Sequence, residues 1–490
     1  MHNTPYHTIS RLSLFLGVVV WLWAMPAIGA EPTAPKTTPS LLTFKDFMTQ
    51  VEEGHDGLKA AMASASGAAK RQGEGNLVYT PALFGSQTHT DDKKQTANPN
   101  FQGTETQTNS YTLGLSKTFG FGLQTKLSYT QTHVNLVGTN PRFVSTPEYY
   151  NQQTILDLSQ PLWRNFGGGE LEAQHDVLEG SALSSHYSNS FTAKNIRAQA
   201  ETAYWQLTVA REAVAMQQEN LARAQKILEW NTRRAGLHLA DRADALQANA
   251  AVQLRQLDLQ RAIDNARVTA KNFNAMRGLD SFDVPEKLEP LDPDLMDRLT
   301  APQRVDYRDD VLAARETKKI AMANARSALE KSKPDVSAFY TYSQNGLNTD
   351  RAQAQKDGTS SKYPTITYGV RLSIPFGEAV DAQVREGYHQ EISAAELNYQ
   401  RKVFEQEQSW KDLSRQFAEA QIRLKLARSI ELAQKEKLEY ERDRLQRGRT
   451  TTSQVIFFEQ DLTNAQLSRI QAQMDVISIL ANMKTFGDNQ

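Results

Sequence analysis

The sequence predicts an α+β protein built from two structural repeats, in each of which β-strands lead into a long α-helical hairpin. Two tracts without proline, apolar-polar alternation before each tract, and landmarks that recur at nearly constant spacing support this fold class. Alternation is typical of strands with one apolar face. Long proline-free tracts with apolar residues three and four apart are typical of long helices.

The first thirty residues are predicted to be a signal peptide. Arg11 precedes the apolar run from Leu12 to Trp23, and the small residues Ala27, Gly29 and Ala30 follow. This arrangement is that of a secretory signal with cleavage near Ala30, and an uncleaved anchor helix is the alternative. We therefore expect an exported protein.

Composition argues against several function classes. The 55 basic and 56 acidic residues give a net charge of −1, so no overall field favours nucleic acid. The absence of cysteine excludes disulfides, thiolate metal sites and a cysteine nucleophile. After residue 30 no segment is apolar enough to cross a bilayer as a helix, so a membrane-spanning form would have to be a closed β-barrel.

The two proline-free tracts, 162–284 and 376–490, are predicted to contain coiled-coil seams. A helix from about Glu170 to Arg233 would be ~95 Å long, which is too long for a compact globular domain. Seams alone would also fit a soluble coiled-coil protein. The seam positions, with one polar interruption at Gln217, are Ile196, Ala200, Ala203, Leu207, Ala210, Val214, Leu221, Ala224 and Leu228, then Trp410, Leu413, Phe417, Ala420, Leu424 and Ala427.

Strands are predicted upstream of each tract. Tyr111, Leu113 and Leu115 alternate with polar or small residues, and a second alternating segment follows the turn at Gly120. The pattern recurs at Thr154, Leu156 and Leu158, and again at Tyr368, Val370, Leu372 and Ile374. The apolar face could be covered by a core in water, or it could face lipid while the polar face lines a lumen.

Paired landmarks divide the chain into residues 31–290 and 291–490, which form one intertwined structure. The segment 158–162 resembles 372–376, Gly236 matches Gly448, and Gly278 matches Gly487, at offsets of 214, 212 and 209 residues. The first repeat is predicted to hold an N-terminal helix, barrel strands and a helical hairpin with its tip near 236. The second holds a helix, strands and a hairpin with its tip near 448.

The first repeat is predicted to carry an extra strand hairpin. Pro81 and Pro161 are 80 residues apart, whereas Pro334 and Pro375 are 41 apart. The surplus of 39 residues is about the size of the hairpin around Gly120.

This ordered set of motifs resembles the TolC-type outer-membrane efflux family over nearly all of the mature chain. The motifs are the strand-to-helix segment 158–163, the tip turns at Gly236 and Gly448, and the helix start Tyr307-Arg308-Asp309-Asp310-Val311 before Pro334. The resemblance implies a trimeric outer-membrane β-barrel continued by a long periplasmic α-helical barrel. It implies a passive exit duct for efflux or type I secretion, with a periplasmic adaptor protein and an inner-membrane transporter as partners.

The resemblance also assigns roles to particular residues. The tip turns Gly236-Leu237 and Gly448-Arg449 would contact the adaptor, and both glycines would also act as helix C-caps with positive φ. Pro161 and Pro375 mark the strand-to-helix junctions. The family usually supplies four barrel strands per chain, a number that the extra hairpin puts in question.

A pore constriction is predicted near the tips. Asp241 and Asp244 would form an acidic ring by three-fold symmetry, or they are ordinary helix-start residues. The second tip lacks the aspartates that some family members place there, and Gln454 lies in the equivalent segment.

The sequence contains no motif that indicates catalysis. The nine histidines show no metal-binding spacing, and phosphate-loop and nucleophile-elbow motifs are absent. The run Gly167-Gly168-Gly169 lacks the lysine of a phosphate loop, and we interpret it as a flexible strand-to-helix turn. No enzyme activity, cofactor or bound metal is expected. A periplasmic or surface coiled-coil scaffold is the alternative function.

Overall fold

The computed structural model describes residues 41–237, 241–292, 296, 298–375 and 377–487. The predicted signal peptide, residues 1–30, lies outside these described residues. Within the described ranges, no helix combines the length and the apolar character that crossing a membrane would require.

In each half of the chain the strands of the main sheet precede a long helix. In order, the strands are β1 (Leu41–Leu42), β2 (Ala82–Asp92), β3 (Glu105–Thr118), β4 (Gln124–Val137), β5 (Glu148–Pro161), β6 (Lys287–Leu288), β7 (Asp335–Asn348) and β8 (Pro364–Ser373). β1 and β6 form a short parallel pair. The other six form one antiparallel sheet in the order β2-β3-β4-β5-β7-β8.

One face of the sheet carries a row of apolar side chains, and the other face carries a row of polar ones. Directly opposed residues of antiparallel strands share a face. One register row therefore crosses the sheet through Leu83, Leu115, Leu127, Leu156, Tyr342 and Ile366. A row on the other face contains Ser86, Thr112, Thr130, Gln153 and Asn345. The alternation in the sequence thus separates the two faces.

The apolar face is largely uncovered in the single chain. Leu83 is 74% exposed on β2, and Tyr368 is 79% exposed on β8. Leu113, Leu115, Leu127, Val370 and Leu372 are exposed as well. Monomeric soluble proteins rarely expose a continuous apolar surface of this extent.

The strands β3 and β4 form the hairpin that the sequence places at Gly120. The Phe119 N–H donates to the Leu123 carbonyl at 2.8 Å, and Gly122 adopts a φ of +93° within the turn. The first half supplies four strands to the sheet and the second half supplies two. The first half therefore contains one more hairpin, as its longer proline spacing predicts.

The helices of the described residues are, in order, α1 (Phe44–Gly54), α2 (Asp56–Arg71), α3 (Pro99–Gln102), α4 (Gly169–Gly236), α5 (Arg242–Met276), α6 (Asp309–Lys331), α7 (Arg351–Gly358), α8 (Glu378–Gln446) and α9 (Thr452–Lys484). Two 3₁₀ segments, Gln72–Tyr79 and Phe166–Gly168, complete the set. The helices α4 and α8 contain 68 and 69 residues. Each is therefore ~100 Å long. The returning helices α5 and α9 contain 35 and 33 residues.

The predicted seam positions form much of the helical core. Ala200, Ala203 and Leu207 are buried on α4, and Phe417, Ala420 and Leu424 are buried on α8. Around Leu207, rings from three helices meet, because Phe47 of α1 stacks on Phe273 of α5 with 4.4 Å between centroids, beside Tyr204 of α4. Apolar seams therefore hold the long helices together, as their three-four spacing predicts.

The short helix α7 covers part of β5 and β7 on the face that carries the apolar row. A Cβ on Gly346 would lie 2.0 Å from the Ala354 carbonyl oxygen, so only glycine permits this approach of strand and helix. The Thr154 hydroxyl donates to the Gly358 carbonyl at 2.9 Å. Beneath α7, Gln152 is fully buried. The exposed apolar surface is therefore bounded on one side by a polar helix.

Candidate functional site

The two helical tips lie side by side at one end of the long hairpins. The Thr452 hydroxyl donates to Asn231 Oδ1 at 2.7 Å, and the Ser453 hydroxyl donates to Gln247 Oε1 at 2.6 Å. Beneath these bonds, an apolar cluster drawn from all four long helices contains Ile227, Ala248, Leu438, Leu445, Val455, Phe458 and Leu462. The ends of α4, α5, α8 and α9 thus form one packed unit, which we call the tip bundle.

The second tip ends in a glycine-capped turn. Gly448 has a φ of +67°, and its N–H donates to the Leu445 carbonyl at 3.0 Å. The Arg449 N–H donates to the Arg444 carbonyl at 2.8 Å. These two bonds form a Schellman motif, in which the left-handed residue satisfies the last helical carbonyls. Gly448 is therefore a C-cap of the kind that the sequence predicts.

The first tip ends differently, and the prediction of a positive φ at Gly236 is wrong. Gly236 is the last residue of α4 and keeps a negative φ, while Leu237 follows with a φ of −97°. A Cβ on Gly236 would meet no atom within 4 Å. The described backbone at this position therefore does not require glycine. Leu237 is 65% exposed at the end of the bundle.

Replacement by alanine is expected to change the stability of the protein differently at the two tip glycines. Gly448→Ala should destabilise the protein by about 1 kcal/mol, because an L-residue is strained in the left-handed region. Gly236→Ala should be neutral or slightly stabilising, because alanine is the better helix former. Thermal unfolding of the two purified variants measures the difference, and equal losses of stability would contradict it.

Asp241 begins the returning helix α5 as its N-cap. Its carboxylate accepts a hydrogen bond from the Ala243 N–H at 3.0 Å, and Asp244 lies in the first turn. Acidic residues here complement the helix dipole. Gln454 lies in the first turn of α9 with an exposed side chain, and its N–H donates to the Thr451 hydroxyl at 3.3 Å. The three predicted constriction residues thus belong to the starts of two neighbouring helices.

A buried charge cluster that the sequence did not predict links three long helices of the tip bundle. Glu459 of α9 is 5% exposed and accepts a bond from Arg223 Nε of α4 at 3.1 Å. Arg442 of α8 also bonds Glu459. Ionised groups are rarely buried unless they are paired. The signal in the sequence was an acidic residue at a seam position, four residues after Val455 and three before Leu462.

Arg255 of α5 extends the cluster to the fourth helix. It is 5% exposed and pairs with Asp258 at 3.4 Å. Desolvation lowers the pKa of the Arg255 guanidinium, while the negative charges of Asp258 and Glu459 act in the opposite direction. Since arginine remains charged at physiological pH, the cluster is ionic in the folded protein.

The junction prolines lie where strands give way to the long helices. Pro161 is the last residue of β5 and is buried, and Pro375 lies two residues after β8 and is exposed. Between Pro161 and α4, both Gly167 and Gly168 adopt positive φ, of +72° and +85°. The run of three glycines is thus a defined turn, and the interpretation of it as merely flexible needs correction.

Comparison with solved structures finds the same fold in outer-membrane channels. The transmembrane channel CusC matches with a TM-score of 0.63 over 91% of this chain and 92% of that chain, at 12% identity. The outer-membrane protein VceC from Vibrio cholerae matches with a TM-score of 0.62 over 90% of this chain and 95% of that chain, at 15% identity. The open state of the MtrE outer-membrane channel from Neisseria gonorrhoeae matches with a TM-score of 0.61 over 90% of this chain and 88% of that chain, at 14% identity.

No protein-family model matches the sequence, and no curated protein matches it. At such low identities, the likeness to the solved channels establishes the fold alone. The matches cover about nine-tenths of this chain. The resemblance predicted from the sequence motifs is therefore confirmed at the level of the fold, and this chain has the fold of the TolC-type outer-membrane channels.

Proposed function

We propose that the chain is one subunit of a homotrimeric outer-membrane channel that serves as the passive exit duct of an efflux or type I secretion system. The sheet would lie in the outer membrane and the long helices would extend into the periplasm. A periplasmic adaptor and an inner-membrane transporter, which supplies the energy, would be the partners. The observation that carries the proposal is the exposed apolar face of a sheet joined to helices ~100 Å long.

The sheet supports a position in lipid. Its apolar row runs from Leu83 to Ile366 across all six strands, and four of the six side chains are exposed, namely Leu83, Leu115, Leu127 and Ile366. A lipid-facing sheet must also satisfy every backbone N–H and C=O group, and an open edge cannot do so. The sheet is therefore suited to a barrel that several chains complete together.

The helices support assembly with further copies of the chain. On α8, Ile422, Leu426 and Ile430 follow one another at intervals of four and are all exposed, as are Leu254 and Leu257 of α5. Residues four apart lie on the same side of a helix. Leu426 and Ile430 border an open groove of about 1250 Å³ between the long helices. We propose that neighbouring subunits cover these side chains and that the assembled helices enclose the tunnel.

We propose that the chain consists of two repeats, 31–290 and 291–490. The matched lengths of α4 and α8, at 68 and 69 residues, support the repeat, as do the paired junctions and tips. Each repeat would then contribute one helical hairpin to the wall of the tunnel. Three subunits would give six hairpins in the periplasmic part.

Membrane fractionation tests the proposal. After expression with the full leader, the protein is expected in the outer-membrane fraction, and detergent extraction should yield trimers that conduct ions in planar bilayers. Recovery of a soluble periplasmic monomer without conductance would contradict the proposal and would favour a coiled-coil scaffold.

The tips would form the adaptor-binding surface, with Leu237 and Arg449 as contact residues beside Gly236 and Gly448. Gly448→Trp is a poor test of docking, because any L-residue is strained at a φ of +67°. The side chains of Leu237 and Arg449 are exposed, so their replacement leaves the tip bundle intact.

Leu237→Asp and Arg449→Glu are expected to reduce efflux at least about tenfold, the effect of losing about 1.4 kcal/mol of binding energy. The amount of trimer should not change. Drug susceptibility of cells and the level of outer-membrane trimer are the two measurements. Lys362→Glu reverses a charge in the segment before β8 and serves as the control. Unchanged susceptibility in both tip variants would exclude these residues as contacts.

The acidic helix start would form a cation-selective ring. Asparagine at positions 241 and 244 removes the charge but still caps a helix, so Asp241→Asn with Asp244→Asn isolates the electrostatic effect. Single-channel reversal potentials in a salt gradient should show a lower preference for cations. Asp443→Asn, near the second tip, is the control. An unchanged reversal potential would leave both aspartates as helix-start residues only.

A further inference from the structure

The six-stranded sheet ends in two strands that each have only one neighbour. Among the described residues, β2 pairs only with β3 and β8 pairs only with β7. The four inner strands contain 14 residues each, whereas β2 contains 11 and β8 contains 10. The two unpaired edges are thus closely matched in length.

We infer that β8 of one copy pairs with β2 of the next, so that three copies close a barrel of eighteen strands. This inference rests on the proposed function, which supplies the trimer and the membrane. The family that the sequence resembles usually contributes four strands per chain, which gives twelve. The hairpin of β3 and β4 is therefore part of the barrel wall.

The directions of the strands permit this closure. All neighbours in the sheet are antiparallel, and the number of strands is even. The first and last strands therefore run in opposite directions, so β8 meets β2 of the next copy in the antiparallel sense. A contact between two different edges of identical chains generates a ring when its rotation closes.

The apolar band also continues across the proposed contact. On β8 the side chains of Ile366, Tyr368, Val370 and Leu372 alternate and are exposed, and on β2 Leu83 lies on the same face. Pairing of the two edges would leave these side chains in one lipid-facing surface. It would also satisfy the edge N–H and C=O groups, which lipid cannot do.

Closure of the six strands within one chain is excluded by size. At ~4.8 Å between strands and a tilt of ~40°, six strands would enclose a ring only ~12 Å across. The face opposite the apolar row carries Thr112, Thr130, Gln153 and Asn345, which need water or hydrogen-bond partners. So narrow a ring has no room for these side chains and their water.

The larger ring gives a wide, polar exit. By the same geometry, eighteen strands enclose a backbone ring ~36 Å across, against ~24 Å for twelve. The lumen would be lined mainly by hydroxyl and amide side chains, together with charged groups such as Lys126 and Asp157 and the rings of Phe84 and Phe339 on the same face. The exit would therefore not limit the size of hydrophilic cargo that has passed the tips.

Counting strands in the assembled protein tests the inference. Full-length protein is extracted from outer membranes and imaged by electron cryomicroscopy along the three-fold axis, with eighteen strands expected. Trimers with twelve strands would overturn the inference and leave the proposed function standing. Failure to find a membrane-bound trimer would instead contradict the proposed function.

Cysteine cross-linking tests the strand contact directly, because the natural chain contains no cysteine. Val370→Cys on β8 is combined in turn with Leu83→Cys, Gly85→Cys and Gln87→Cys on β2, all on the apolar-row face. At least one pair should give cross-linked dimers and trimers on denaturing gels. Val370→Cys with Leu127→Cys on the inner strand β4 is the control. The inference would be overturned if cross-links formed only within one chain, or if none of the three pairs gave a cross-link.

Discussion

Glu459→Gln is expected to destabilise the tip bundle by about 3 kcal/mol, the lower end of the cost of breaking a buried ion pair. Glutamine keeps the shape of the side chain but removes its negative charge. Arg223 and Arg442 would then face each other across a buried neutral group, with Arg255 close by. The loss arises from charge, because the volume of the side chain is unchanged: Arg223 would keep only its pair with the exposed Glu219 at 3.7 Å, and Arg442 would lose its bond to Glu459.

Hydrogen exchange of backbone amides in α5 and α9 near the tips measures the effect. A local loss of about 3 kcal/mol accelerates exchange roughly a hundredfold where exchange follows local opening. Asp461→Asn is the matched control, since Asp461 lies two residues away on α9 and pairs with Lys437 at 3.5 Å on a more exposed surface. That pair should contribute about 1 kcal/mol or less.

A double variant separates charge balance from packing. Arg442→Gln added to Glu459→Gln removes one of the uncompensated cations, so the double variant should be less destabilised than the sum of the single variants. Strict additivity, or equal exchange rates in Glu459→Gln and Asp461→Asn, would contradict a structural role for the buried cluster.

The cluster also bears on the proposed docking at the tips. It lies in the same tip bundle as the exposed residues Leu237 and Arg449, and it joins α4, α8 and α9 at one point. Loosening it should weaken adaptor binding without altering any residue on the surface. A binding defect in Glu459→Gln together with normal trimer assembly would therefore indicate that the adaptor recognises a rigid tip bundle.

The sequence predicts the elements of this fold well, because periodicity is a local property. Residues such as Leu113 and Leu115, or Phe417 and Leu424, record on which side of a strand or helix the apolar surface lies. The extra hairpin could also be predicted, since proline spacing measures how much chain lies between two junctions. These signals need no knowledge of which elements meet in space.

The contacts between elements could not be predicted in the same way. Glu459 stands at a seam position in the sequence, but only the approach of α4 and α8 shows that its partners there are arginines. Gly236 and Gly448 match in sequence but differ in conformation, because a C-cap depends on how the chain leaves the helix. The roles of Asp241, Asp244 and Gln454 in a pore stay predictions, because they depend on neighbouring subunits.

The three-glycine turn is the clearest case of a contact between distant segments. In sequence it suggested flexibility, yet the structure places it against the turn of the β3–β4 hairpin. A Cβ on Gly122 would lie 2.8 Å from the Asn165 carbonyl oxygen, and a Cβ on Gly168 would lie 1.7 Å from the Gly120 carbonyl oxygen. The extra hairpin is thereby seated directly on the junction between β5 and α4.

Gly168→Ala is accordingly expected to destabilise the protein by about 3 kcal/mol or more. The added methyl group cannot occupy the space of a backbone carbonyl, so the hairpin or the junction must move, and overpacking of this kind costs roughly 1–3 kcal/mol. The φ of +85° adds strain for any L-residue, about 1–2 kcal/mol. Thermal unfolding of detergent-extracted protein, together with the yield of folded protein, measures the loss.

Gly167→Ala separates steric overlap from backbone strain. Gly167 has a similar φ of +72°, but a Cβ there would meet no atom within 4 Å, so only the strain of about 1–2 kcal/mol applies. Gly168→Ala should therefore be the more damaging of two adjacent and chemically identical changes. Equal stabilities for the two variants would show that the backbone at the junction accommodates the methyl group at position 168 without further loss of stability. The hairpin would then not be held tightly against the junction.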